Sequence, residues 1–181
     1  MPSRLIRWAA GALTLVLLVV ATVFMQRHAG HILKTHTLTL TDGTQMLIGA
    51  GHGPTLLVFW STHCDPCLRQ IPQLVALAHS LPKPRQALVA VAIAQDDETT
   101  VQAFADTNLP YSVARDRGGM LVRALHIRRI PTLILIGPRG HVRLRQTGSI
   151  ATDAVRARFL KLLDHGRRQR PTLIHWQSPD P

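Results

Sequence analysis

Residues 55–72 read TLLVFWSTHCDPCLRQIP. The first six are a continuous apolar run of strand length, the mark of a strand buried on both faces. The run leads straight into Cys64 and Cys67, the two cysteines of a 181-residue chain. From Pro66 onward Leu68, Ile71, Val75 and Ala78 recur at three or four residues. That spacing predicts an amphipathic helix to about Ser80, bent at Pro72, because a proline lacks the amide hydrogen and crowds the preceding turn. A cysteine pair therefore stands where a buried strand hands over to a helix.

Working outward, ALVAVAIA (87–94) reads as a second buried strand, and DDETTVQAFADTN (96–108) as a helix. Asp96, Asp97 and Glu98 suit the positive N-terminal end of that helix's dipole. Strand, helix, strand, helix predicts parallel strands. YSVARD (111–116) reads as a short edge strand, GGMLVRALHI (118–127) as a short helix and TLILI (132–136) as a strand, with HVRLRQTG (141–148) its antiparallel partner across GPRG. Upstream, HTLTLTDGTQMLI (36–48) alternates Leu38 and Leu40 with threonines before an Asp42-Gly43 turn, a hairpin signature. A last amphipathic helix over 152–163 turns Val155, Phe159, Leu162 and Leu163 inward, with Gly166 as its stop.

Hydrophobic residues make up 46% and charged ones 17%, enough for a packed core. Two cysteines are too few for a disulfide-built scaffold. The net charge is +11, from 21 Lys and Arg against 10 Asp and Glu. With 4% aromatics and scattered cations, the stacking platform and basic stripe of a nucleic-acid binder are missing, and the charge reads as a solvated, Arg-biased surface. Residues 8–25, WAAGALTLVLLVVATVFM, carry no charge and follow Arg4 and Arg7. They nearly span a hydrocarbon core, and ending in Phe24, Met25, Gln26 and Arg27 they lack a small-x-small cleavage pattern. The expected organisation is a cytoplasmic start and transmembrane signal anchor (1–27), a linker (28–36), one α/β domain (37–166) and a basic flexible tail (167–181). The positive-inside bias places the N-terminus in the cytoplasm, hence the domain in the periplasm of a single-pass inner-membrane protein.

Cys-x-x-Cys at a helix start has a physical logic. Unpaired amides and the helix dipole stabilise a thiolate on the first cysteine, and the second lies one turn further in. Comparable motifs lower a thiol pKa from about 8.5 into the range of roughly 3.5 to 7.5. Structural zinc fails on ligand count, since no second cysteine pair or histidine pair at finger spacing follows and His79 stands alone until His126. Covalent haem needs a histidine after the second cysteine, and here Leu68 follows. A structural staple gains little from so short a loop. A soft-metal reading remains as a rival, with Cys64, Cys67 and His63 or His126 holding copper.

These residues, with Pro72 five positions after Cys67, LHIRRIPTLILIGPRGHV (125–142) and Gly148 before the closing helix, resemble the membrane-anchored TlpA/ResA-like thiol-disulfide oxidoreductases of the thioredoxin superfamily. The resemblance covers residues 38–163 and implies a thioredoxin-like fold, a central mixed sheet flanked by helices with an N-terminal β-hairpin. It implies a protein disulfide reductase with Cys64 as nucleophile and Cys67 as resolving thiol, no bound cofactor and no metal. Pro131 is expected to be cis, exposing the Ile130 backbone for substrate pairing, with an ordinary trans turn as the alternative; Trp60 covers the site's edge or simply packs in the core. Implied partners are substrate proteins bearing disulfides, haem-attachment cysteines of cytochrome c among them, and an electron-donating membrane thiol protein. A disulfide oxidant or isomerase on the same fold remains open.

Three positions depart from the family. Val58 stands where many thioredoxins bury an aspartate, Gln70 where the ResA-like branch has a glutamate, and His63 where tryptophan is common. Asp65 between the cysteines opposes a thiolate as a nearby anion. Histidine is the side chain whose ordinary pKa lies near neutrality, so His63 either tunes Cys64 or is an exposed histidine without a role. Arg128 and Arg129 favour the thiolate if their loop folds over the pair. The proton manager is thus sought among Asp65, His63 and water.

Overall fold

The computed structural model describes Leu18, residues 32–93 and residues 95–168. The expected anchor and most of the expected tail lie outside these. Among the described residues no helix is long and apolar enough to cross a membrane.

The expected hairpin forms from β1 (His36–Thr39) and β2 (Gln45–Ile48), which pair antiparallel across the turn at Asp42. The central sheet contains β3 (Thr55–Trp60), β4 (Leu88–Ala92), β5 (Ser112–Arg115), β6 (Thr132–Ile136) and β7 (Val142–Thr147) in the order β5-β4-β3-β6-β7. β3, β4 and β5 run parallel, and β6 and β7 are antiparallel additions. This is the mixed sheet that the resemblance implied, and the apolar runs are its buried strands: β3, β4 and β6 are buried along their whole length.

Alternation splits those strands between two cores. Leu56, Val58, Trp60, Leu133 and Leu135 face one side, and Leu57, Phe59, Val91, Ile134 and Ile136 the other. The first side is covered by α2 (Ile71–His79), α4 (Glu98–Ala105) and α6 (Thr152–Arg168), which contribute Leu77, Val101 and Phe159. The hairpin and α5 (Met120–Ala124) cover the second with Leu38, Ile48 and Leu121. Each buried Leu or Phe contributes roughly 1.5–3 kcal/mol of transfer free energy, so both layers hold the sheet rigid beneath the loops at its ends.

The helix after the cysteines departs from the expected single bent one. α1 (Asp65–Arg69) ends at Gln70, which caps α2. Pro72 falls in the first turn of α2, where a missing amide hydrogen breaks no ladder bond, so the interruption lies before the proline instead of at it. A short α3 (Pro84–Ala87) follows where only a helix end was expected. Gly166 does not stop α6, which continues to Arg168. A glycine costs a helix about 1 kcal/mol and terminates it only where the backbone turns left-handed.

Candidate active site

The parallel strands β3 and β4 end on the same side of the sheet, and the loops that leave them meet there. The first loop carries Cys64 into the start of α1. Cys64 adopts an extended backbone and caps α1, with the Cys67 amide donating to Cys64 Sγ at 3.3 Å and to the Cys64 carbonyl at 2.8 Å. The two sulfurs are joined as a disulfide with Cα atoms 5.2 Å apart. Cys64 is half-buried, whereas Cys67 is 4% exposed. An attacking thiol can reach the outer sulfur, and the inner one is shielded. On reduction the Cys67 amide points at Cys64 Sγ, where a hydrogen bond favours the charged thiolate over the thiol.

The Ile130–Pro131 bond is cis, as the resemblance implied. Pro131, Cys67, Val58, Trp60, Gln70 and Tyr111 line one small hollow beside the pair. A bracket of hydrogen bonds fixes its sides. Gln70 Nε2 donates to the Gly148 carbonyl at 2.8 Å, and the Gly148 amide donates to the Pro131 carbonyl at 2.9 Å. Thr132 Oγ1 donates to the Arg129 carbonyl at 2.7 Å, closing the turn that precedes β6.

A carboxylate does lie under the cysteine loop, and it is Asp96. Its side chain is 1% exposed. It accepts from Ser61 Oγ at 2.7 Å, the Thr62 amide at 3.1 Å and Thr62 Oγ1 at 3.2 Å, and His63 Nδ1 lies 3.4 Å away. From sequence Asp96 reads as a helix-dipole residue, but it turns inward, while Asp97 caps the helix and Glu98 stands in its first turn. Asp97 accepts from the Thr100 amide and hydroxyl, and those bonds hold its carboxyl below the usual value. The findable signal was that loops following adjacent parallel strands converge, which brings residues 61–63 to 93–96.

The other expected site residues are more scattered. His63 projects outward, 78% exposed at its side chain, and its link to the cysteines runs through the backbone and Asp96. Asp65 is exposed in the first turn of α1. Arg128 and Arg129 are exposed and line a separate cleft with Ile93, Val122 and Ile130. Ile130 is half-buried and lines that cleft, directly before the cis Pro131. Trp60 does not cover the site from outside. It is 4% exposed, its ring centroid 4.2 Å from that of Phe104, because β3 points it into the core beneath the pair. Tyr111, which no sequence motif marks, shares that region, and burial pushes its hydroxyl up to about 12.

The model of the AhpC/TSA family matches residues 29–145. The chain belongs to the AhpC/TSA family. Two curated relatives are similar to this AhpC/TSA chain. The thiol-disulfide oxidoreductase ResA of Halalkalibacterium halodurans is 33% identical over 108 residues, 59% of this chain and 60% of that protein. Sporulation thiol-disulfide oxidoreductase A of Bacillus subtilis is 27% identical over 105 residues, 56% of this chain and 64% of that one. The chain thus spans less than two thirds of the curated relatives it matches. Among solved structures, StoA from Bacillus subtilis superposes with a TM-score of 0.60 at 24% identity, over 71% of this chain and 98% of that one. The pneumococcal exposed lipoprotein thioredoxin Etrx1 gives 0.60 at 19%, over 71% and 100%. These likenesses identify the AhpC/TSA domain's fold as thioredoxin-like.

Proposed function

We propose that this protein is a thiol-disulfide oxidoreductase that reduces disulfides of other proteins. The observation that carries the reading is the asymmetry of the pair: Cys64 reachable and hydrogen-bonded by the Cys67 amide, Cys67 buried one turn away. In the reduced protein the Cys64 thiolate attacks a substrate disulfide, forming a mixed disulfide and releasing one substrate thiolate, which takes up a proton. The Cys67 thiol then loses its proton and attacks Cys64 Sγ, releasing the second substrate thiolate. Two electrons and two protons pass to the substrate, and the Cys64–Cys67 disulfide remains, as in this structure. A second thiol donor restores the dithiol.

The setting is an extracytoplasmic one. The uncharged stretch 8–25 behind Arg4 and Arg7 supports a single-pass tether with the domain in the periplasm. The donor is then a membrane thiol protein. Haem-attachment cysteines of exported cytochromes are the first substrates to try, on family resemblance alone.

Alkylation-trapped exchange with a model disulfide protein tests the reading. Cys64→Ser abolishes exchange, while Cys67→Ser accumulates the mixed disulfide; full activity in Cys64→Ser refutes the assignment. Equilibration with glutathione fixes the direction: a potential near about −120 mV makes the protein an oxidant. Tight Cu(I) binding without exchange activity moves it to the copper-handling class.

A further inference from the structure

The end of the sheet opposite the dithiol carries a groove between the β6–β7 turn and α6. Arg139, Arg143, Arg158, Lys161 and His165 line it, and no carboxylate does. All five are exposed, and none of the four permanent cations is in an ion pair among the described residues. Like charges gathered around one concavity repel each other, and no anion among the lining residues offsets them.

The same end is where the chain comes into the domain. Ile32 bridges to His141, the Leu33 amide donates to the Gly140 carbonyl at 2.8 Å, and Ala50 bridges to Arg139. The register fixes the polarity: Thr55 pairs with Ile136 at this end, and Phe59 with Thr132 at the dithiol end. A strand of this length separates the two ends by roughly 17–20 Å.

We infer that this groove binds phosphate-bearing anions, and that their source is the headgroup layer of an anionic bilayer, on which the domain seats with the dithiol facing away. Three guanidinium forks beside an ammonium match phosphate oxygens, and because all four are exposed at the surface they can meet a layer of headgroups. Residues 26–31 separate the apolar stretch from Ile32, so in the tethered reading chain reach holds Ile32 within about 25 Å of the bilayer. The inference rests on that reading for the source of the phosphate, and on the groove alone for the affinity.

The test reconstitutes the full chain in nanodiscs of phosphatidylcholine, with or without phosphatidylglycerol, and measures acylation of Lys161 and, after reduction, alkylation of Cys64. We expect Lys161 to react about fivefold or more slower in the anionic discs, an effect lost in an Arg139→Glu, Arg143→Glu variant and at high salt, while Cys64 reacts equally in both. Equal Lys161 rates overturn the inference, and slowed Cys64 alkylation overturns the orientation. Protection by millimolar inorganic phosphate in neutral discs as strong as by anionic lipid overturns the lipid source. A chain that does not stay in the discs refutes the tether. The groove is then judged by Lys161 protection with added phosphatidylglycerol vesicles, and its absence there too overturns the inference.

Discussion

Ser61 Oγ donates to Asp96 Oδ1 at 2.7 Å across the mouth of β3 and β4, tying the loop before Cys64 to the loop before α4. A buried carboxylate that collects three donors from two consecutive residues sets the path of the backbone into the nucleophile.

Asp96→Ala strands the Ser61 hydroxyl and the Thr62 amide and hydroxyl without their acceptor. We expect a loss of roughly 2–4 kcal/mol in urea unfolding of the oxidised protein and slower disulfide exchange. Asp96→Asn keeps one acceptor oxygen and loses less. His63→Ala changes stability little, because that side chain is largely in solvent. Wild-type stability in Asp96→Ala would show that the loop is held by something else.

Gly140 takes a positive φ of 78° where Leu33 comes in, and a Cβ there would lie 2.2 Å from the Leu33 carbonyl oxygen and 3.0 Å from the Ala50 amide nitrogen. Backbone cannot yield as a side-chain tip does. Gly140→Ala is expected to lose more than about 2 kcal/mol. Gly43→Ala, with a φ of 81° and nothing within 4 Å, should lose about 1 kcal/mol. Equal thermal shifts for the two would remove the steric argument.

Tyr111 is the single tyrosine, so its titration can be followed by tyrosinate absorbance. Burial raises its pKa from 10.0 to about 12, which means that between those values the unfolded chain has already released a proton the folded one keeps. Stability from this group is therefore full below pH 10 and falls by about 2 kcal/mol as pH rises to 12. Tyr111→Phe should flatten that decline with little effect near neutrality, since the buried hydroxyl has no hydrogen-bond partner among the described residues.

Gln70→Glu places a carboxyl where the ResA-like branch has one. The wild-type Nε2 donates to the Gly148 carbonyl, so the substituent keeps that bond only when protonated. Burial favours that neutral form, and the variant should be near wild type in acid and weaken as pH rises through the raised pKa. Its exchange rate should gain a pH inflection absent from the wild type; superimposable profiles would mean that position 70 does not communicate with Cys67.

The strands, the hairpin and the dithiol were legible because each is written in local chemistry: apolar runs, a DG turn and Cys-x-x-Cys; the cis bond at Pro131 was implied by the family resemblance, since Ile-Pro-Thr alone leaves an ordinary trans turn open. Asp96 was not, because an Asp-Asp-Glu run before a helix has a sufficient local explanation, and only the β3–β4 pairing turns one member inward. Trp60 shows the same limit: its face of β3 depends on register, which a fully apolar strand leaves undeclared. The break at Gln70 was missed because proline at a first turn and proline within a helix look alike until the turn count is known.

The Gln70–Gly148–Pro131 bracket joins the helix side and the strand side of the hollow beside the dithiol through the carbonyl and the amide of one residue. Every atom in it other than Gln70 Nε2 belongs to the main chain, so a side-chain substitution can unfasten this latch only from its Gln70 end.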